Sequence, residues 1–306
     1  MSYKNTAYLF PGQGSQYKGM GLNLYNKYKV FRRTYEQASD ILNFDLKKIS
    51  FSLESNDINQ TFYTQPIIFT YNVAIFRLLR ELNYYPTAVA GHSLGEYSAL
   101  VSINCISFED GLKIIKTRSQ EMDNCASNRP GKMAAIINFN IQETNKLLKN
   151  FKETVVIANI NSNKQIIISG DLIGIDKVIN HFKKNKIRGI IPLNVSGAFH
   201  SPLMENAKIA LEKIINNTKF NDVKIPIYQN YNAKSNLLGK SIKKNLINQL
   251  DSTVLWLDSI NNMVNDNNIN FIEVGPGNVL KNLNKNINSD IKNINFKDLL
   301  KWKIKI

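Results

Sequence analysis

The order of apolar and polar positions divides the chain into short strands and longer helices. Thr6 to Phe10 reads as a short first strand. Residues 29–48 and 66–83 carry apolar side chains at helical spacing, the second as I-I-F-x-x-x-V-A-I-F-x-L-L. The run P-T-A-V-A then predicts a strand, followed by a helix over Glu96 to Ile103 and another over Phe108 to Asp123. Beyond Asn128-Arg129-Pro130-Gly131 the rhythm changes. Met133 to Phe139 reads as a strand, Ile141 to Phe151 as a helix, and Thr154 to Ile160 and Gln165 to Ser169 as strands around a turn. A helix from Leu172 to Lys184 and a strand from Arg188 to Leu193 complete the order β-α-β-β-α-β, that of a ferredoxin-like unit inserted in the chain. The loop 194–204 and a helix to Thr218 follow. The last clear signals are a strand at Phe271 to Val274, the turn Gly275-Pro276-Gly277 and a helix from Asn278.

Composition adds little to that order. The 306 residues are 43% hydrophobic and 10% aromatic, the balance of an ordinary globular protein long enough for two lobes. The net charge of +15 and pI near 9.6 suit acidic or phosphorylated partners. Yet the lysines are scattered among Asn and Ile, as in N-K-L-L-K-N-F-K and K-N-L-N-K-N-I-N, which is equally the mark of compositional drift. No basic-aromatic interleaving points to nucleic acid. Cys105 and Cys125 are the only cysteines, too far apart for zinc-ligand spacing and too few for a disulfide framework, as in a reducing cytoplasm. The N-terminus lacks a signal peptide's apolar region, and the best membrane candidate, Pro66 to Leu82, is broken by Arg77, Arg80 and Glu81. A soluble, cytoplasmic, monomeric protein is expected.

Chemistry gathers at two loops. The first strand ends in P-G-Q-G-S-Q, residues 11–16. The dinucleotide spacing G-x-G-x-x-G fails there, because the next glycine after Gly14 is Gly19, and no G-K-[ST] follows. What remains is a loop suited to close backbone approach, with Gln13 at its centre. The second is Gly91-His92-Ser93-Leu94-Gly95. A helix cap accounts for Ser93, with Glu96 completing a capping box, but not for glycines two residues to either side of the serine. A nucleophile on a tight strand-to-helix turn accounts for all of them: the glycines relieve the crossing of strand and helix, and the hydroxyl is left exposed. The first N–H groups of the new helix, that of Leu94 included, then face a developing oxyanion.

Such a serine needs a base, and the chain has three histidines. His181 lies on a charged helix face of the insert, and His92 adjoins the serine and diverges from it, so it supports the loop. His200 remains, in a turn that Ser196, Gly197, Ser201 and Pro202 keep irregular. No Asp or Glu stands out as a third member; a backbone carbonyl or an amide could orient the imidazole instead.

Six motifs occur in a telling order: F-P-G-Q-G-S-Q (10–16), G-H-S-L-G-E-Y-S-A-L (91–100), T-R-S-Q-E-M (117–122), G-K-M-A-A-I (131–136), V-S-G-A-F-H-S-P-L-M (195–204) and E-V-G-P-G-N-V-L (273–280). Together they closely resemble the malonyl-CoA:acyl-carrier-protein transacylases of bacterial type II fatty-acid synthesis, over nearly the whole chain. The resemblance implies an α/β-hydrolase-like core with a mainly parallel sheet, formed by 1–128 and 195–306, and an inserted ferredoxin-like subdomain at 129–194. It implies Ser93 as nucleophile and His200 as base, the N–H groups of Gln13 and Leu94 as oxyanion hole, and the backbone carbonyl of Gln249 as the group orienting His200. Arg118 would hold the free carboxylate of malonate, for which a guanidinium offers two parallel donors. Phe199 would crowd an α-methyl group. Malonyl-CoA and an acidic acyl carrier protein would be the partners, with coenzyme A thioester as substrate and no metal or permanently bound cofactor. The chain departs from the family where a Pro and a Gln commonly precede the tryptophan: here Asp251-Ser252-Thr253-Val254-Leu255 leads to Trp256. The C-terminal I-N-F-K-D-L-L-K-W-K-I-K-I has no recognisable type. Other acyl specificity, a serine hydrolase or thioesterase, and a non-catalytic synthase partner are the rival functions. Arg118 speaks against the first, release of free malonate without a carrier would mark the second, and the joint presence of Ser93 and His200 speaks against the third.

Overall fold

The strand Thr6–Phe10 (β1) is buried along its whole length, and its side chains divide by the period-2 rule. Tyr8 and Phe10 enter the large cluster under the helices on one face, while Ala7 and Leu9 meet Trp256, Ile260 and Met263 on the other. A sheet covered on both faces explains why β1 and the strand Ala88–Gly91 (β2) carry almost no polar residue. The structure, a computed structural model, describes residues 5–303.

Among those residues two sheets form. The strands of the inserted segment are Gly131–Ile137 (β3), Val155–Ser162 (β4), Gln165–Asp171 (β5) and Ile190–Pro192 (β6). Ile227–Tyr228 (β7), Ser235–Asn236 (β8), Asn270–Glu273 (β9) and Lys292–Asn295 (β10) follow. The first sheet has the order β10-β9-β1-β2-β7-β8, parallel except for the terminal β7–β8 pair. The second, β4-β5-β3-β6, is antiparallel, and the helices Ile141–Leu148 and Leu172–Lys184 complete its β-α-β-β-α-β order. Ala134, Ile136 and Ile168 pack under those helices with Ile175, Val178 and Phe182. Met133, Ala135, Ala158 and Ile167 face the other way and join the large cluster, so the second sheet is packed onto the first unit. This is a mixed α/β fold with a mainly parallel main sheet. No helix among the described residues is long and apolar enough to cross a membrane.

The predicted elements recur with three corrections. The helix expected over 29–48 is two: Lys29–Leu42 stops at Asn43, whose φ of 60° is left-handed, and Asp45 caps Leu46–Ser50 by accepting from the N–H groups of Lys47 and Lys48. The helix expected over 66–83 runs Thr61–Glu81, starting before Pro66. The capping box at Ser93 is absent: the helix Gly95–Ser102 begins after Leu94, no side chain caps it, and Glu96 points inward, fully buried. The C-terminal stretch forms β10 and the helix Phe296–Lys303, with residues 304–306 outside the described part.

The turn after β2 is set by backbone crowding. A Cβ on Gly91 would lie 2.0 Å from the carbonyl carbon of Gly95, and one on Gly95 1.9 Å from the carbonyl oxygen of Phe10. Both obstacles are main chain and cannot swing aside. Gly95→Ala is therefore expected to destabilise the fold by about 3 kcal/mol, at the upper end of overpacking costs. Thermal unfolding would register this as a midpoint lowered by several degrees.

Candidate active site

Adjacent parallel strands deliver the two loops to one place. β1 and β2 end in register, Phe10 opposite Gly91, and the His92 N–H donates to the Phe10 carbonyl at 3.0 Å. A Cβ on Gly12 would stand 2.4 Å from the His92 carbonyl oxygen, so the P-G-Q-G loop lies directly on the turn that carries Ser93. Ser93 itself has φ +50°, a left-handed conformation costing on the order of 1–3 kcal/mol for a non-glycine residue. Its N–H donates to Asn230 Oδ1 at 2.6 Å, and its carbonyl accepts from Gln249 Nε2 at 3.0 Å. Asn230 in turn donates Nδ2 to the Gly91 carbonyl at 2.7 Å. The strained turn is thus held from below by side chains from the last third of the chain.

Glu96 is the centre of that support. Its carboxylate accepts from the Asn230 N–H at 2.8 Å, Gln229 Nε2 at 3.0 Å and Gln249 Nε2 at 3.1 Å. Burial pushes its pKa up, and these donors oppose the rise. Neither Asn230 nor Gln229 was legible as a site residue, and Glu96 was legible only as a cap.

His200 Nε2 lies 2.7 Å from Ser93 Oγ, and Nδ1 lies 3.0 Å from the Gln249 carbonyl oxygen. A carbonyl only accepts, so Nδ1 carries the proton and Nε2 presents a lone pair to the serine O–H. His200 also has a left-handed φ, +57°, and is buried. Burial first, and then the charge of Arg118, push its pKa down to about 3. It is a neutral imidazole throughout the physiological range.

Arg118, on the helix Phe108–Asn128, is 1% exposed. Its Nη2 donates to Ser93 Oγ at 3.0 Å, its Nη1 to Gln65 Oε1 at 2.7 Å, and its Nε has no partner. The guanidinium lies over the Tyr97 ring, 5.6 Å from its centroid. Burial lowers its pKa, opposed by Tyr97 and Glu96. No carboxylate forms an ion pair with it among the described residues. A buried cation left without a counter-ion beside a serine hydroxyl is a ready receptor for an anionic ligand.

The remaining expected residues sit around this centre. The Gln13 and Leu94 N–H groups have no hydrogen-bond acceptor among the described residues. Gln13 donates Nε2 to Thr61 Oγ1 at 3.1 Å, and its Oε1 lies 3.5 Å from Gln65 Nε2. Phe199 is buried in the large apolar cluster, its ring against Gly197. His92 is bonded through Nε2 to Asn161 Oδ1 at 2.8 Å and rests beside Trp256, so it braces the turn from the insert's side. His181 lies on the helix Leu172–Lys184, with Asn185 as its partner. Gln65 and Thr61, both buried at the head of the helix Thr61–Glu81, were not legible as site residues. Among the described residues no group of three His, Cys, Asp or Glu side chains could hold a metal.

The model of the acyl transferase domain matches residues 7–300. A malonyl CoA-acyl carrier protein transacylase of Staphylococcus aureus is 37% identical over 290 residues, 94% of both chains. Among solved structures, the malonyl CoA-acyl carrier protein transacylase of Coxiella burnetii superposes with a TM-score of 0.93 at 33% identity, covering 98% of this chain and 96% of that one. A malonyl-transacylase solved in complex with a type II PKS acyl-carrier protein gives 0.90 at 30% identity, over 95% of each chain. Likeness of this extent takes in both sheets and every loop of the site, and the chain belongs to the malonyl-CoA:acyl-carrier-protein transacylase family of acyl transferases.

Proposed function

We propose that the chain transfers the malonyl group of malonyl-CoA to the phosphopantetheine thiol of an acyl carrier protein, through a malonyl ester on Ser93, and so supplies fatty-acid elongation. The observation that carries this reading is Arg118: a buried guanidinium without a carboxylate partner, 3.0 Å from the serine oxygen, where the free carboxylate of a malonyl thioester would lie. An acetyl group would leave that charge unneutralised.

In the first half-reaction His200 Nε2 takes the Oγ proton as Ser93 attacks the thioester carbonyl carbon. The N–H groups of Gln13 and Leu94 receive the oxyanion, each worth on the order of 10²–10³ in rate. The C–S bond breaks, and the coenzyme A sulfur leaves with the proton from Nε2. In the second half the carrier thiol gives its proton to Nε2 and attacks the ester carbonyl, and Ser93 Oγ leaves and is reprotonated. The Gln249 carbonyl accepts from Nδ1–H throughout and steadies the imidazolium as it forms. Coenzyme A enters as a substrate thioester and the reaction needs no resident cofactor. We assign 1–128 with 195–306 to the catalytic domain and 129–194 to the inserted subdomain. The free thiols of Cys105 and Cys125 support the cytoplasm as the compartment.

Intact mass after brief incubation with malonyl-CoA is expected to rise by one malonyl group, to stay unchanged in Ser93→Ala, and to return when carrier protein is added. Steady release of free malonate without a carrier would replace the transferase by a hydrolase. Arg118→Ala removes one partner of a desolvated pair, a loss of roughly 2–5 kcal/mol. Its kcat/KM for malonyl-CoA should fall by about 10² or more while that for acetyl-CoA changes only a few-fold; equal losses for both would refute the carboxylate role.

The pH profile tests the base. Nε2 works only unprotonated, and its pKa is depressed to about 3. The acidic limb of kcat/KM should therefore lie well below the ordinary histidine range of ~6.5. Loss of the neighbouring positive charge in Arg118→Ala should move that limb upward. A limb near 6.5 in the parent chain would contradict the assignment.

A further inference from the structure

Thr61 opens the helix Thr61–Glu81 and is 1% exposed. As the first residue of its helix it has no preceding turn of that helix to take its hydroxyl proton. Its Oγ1 accepts from Gln13 Nε2 at 3.1 Å, 48 residues away, and meets Ser196 Oγ at 2.9 Å, 135 residues away. Because Oγ1 is the acceptor toward Gln13, its own proton is free to point at Ser196, in the loop that leads to His200. One hydroxyl therefore ties the P-G-Q-G loop to the loop of the base.

The rest of the P-G-Q-G loop is closed mainly upon itself. Ser15 closes back on the Gly12 carbonyl through both its N–H and its Oγ, and Asn72 Nδ2 holds the Pro11 carbonyl at 3.0 Å. Gly14 has φ +99° with open space where a Cβ would stand. The Gly14 N–H donates to Gln16 Oε1 at 2.8 Å, so the peptides on either side of Gln13 are fixed within the loop, and the Gln13 side chain ties the loop outward to Thr61 and, more loosely, to Gln65. An oxyanion donor is effective only if its N–H is already aimed before charge develops.

We infer that Thr61 is a positioning residue for the transfer: its hydroxyl joins the Gln13 side chain to Ser196 and so keeps the whole P-G-Q-G loop, with its Gln13 N–H, in register with the loop of His200. The inference rests on the transferase reading above. The hydroxyl touches no reacting atom, so its removal should slow the chemical step and leave substrate binding intact.

The test compares steady-state transfer by the parent chain, Thr61→Val and Thr61→Ser, with malonyl-CoA and carrier protein, alongside circular dichroism to count folded protein. Valine keeps the branched shape and deletes the hydroxyl; serine keeps the hydroxyl. Thr61→Val should lose about 10-fold in kcat, a fraction of what one oxyanion donor supplies, with KM for malonyl-CoA within about twofold. Thr61→Ser should recover kcat to within about twofold of the parent. A kcat for Thr61→Val within twofold of the parent per folded site, or a Thr61→Ser as slow as Thr61→Val, overturns the inference alone. A parent chain that forms no malonyl ester on Ser93 overturns the transferase reading and the inference with it.

Discussion

The site depends on one crowded crossing of main chain. The Phe10 carbonyl at the end of β1 accepts from the His92 N–H and also abuts the α-carbon of Gly95. Strand, turn and helix can meet that closely only where side chains are missing, and the meeting leaves Ser93 in a left-handed conformation with its hydroxyl outward. The strain is not relieved locally. It is balanced by Asn230 and Gln249, which grip the Ser93 N–H and carbonyl, and by Glu96, which gathers both of them. Residues more than 130 positions away in sequence therefore maintain the geometry of Ser93.

Charge in the site follows from the same economy of partners. Arg118 is buried and cationic, Glu96 is buried beneath the turn, and the imidazole between Ser93 and Gln249 is neutral. A carboxylate at Nδ1 of His200 would raise the imidazole's pKa. It would also place a negative charge near Arg118, whose own charge already helps to lower the imidazole's pKa. A carbonyl oxygen orients the ring without adding a negative charge. The guanidinium thus stays uncompensated, as the proposed selection of a carboxylated acyl group requires.

The sequence made much of this legible. Apolar runs marked the strands β1, β2 and β9 and the strands of the insert, and helical spacing marked most helices of the first two thirds, but β7, β8 and β10 and the helices Gly239–Gln249 and Trp256–Asn265 carried no such signal. The glycines around Ser93 marked the crossing, and elimination among three histidines singled out His200. What stayed hidden are pairings between distant polar residues. Glu96 looks like a capping partner from its spacing, and only the inward turn of its helix makes it an acceptor for Gln229, Asn230 and Gln249. Gln65 and Thr61 lie just ahead of the apolar stretch and carry no periodic signal. The break at Asn43 was also missed, since apolar spacing continues across it while the backbone reverses hand.

The departure at Asp251-Ser252-Thr253-Val254-Leu255 has a structural answer. Val254 bridges the edge strand β4 at Asn159: its N–H donates to the Ala158 carbonyl at 2.8 Å and its carbonyl accepts from Ile160 at 3.0 Å. Thr253 Oγ1 donates to the Ile157 carbonyl at 2.7 Å, and Asp251 pairs with Lys208 at 3.0 Å. The pairing at Val254 is main chain to main chain, so it does not depend on which side chains the segment carries. Gln249 is therefore held between the end of its helix and a strand of the insert, and its carbonyl reaches His200 Nδ1 at 3.0 Å despite the altered sequence that follows. The insert thus bears on both Ser93 and His200: through β4 on the segment after Gln249, whose carbonyl meets His200, and through Asn161 and His92 on the turn that carries Ser93.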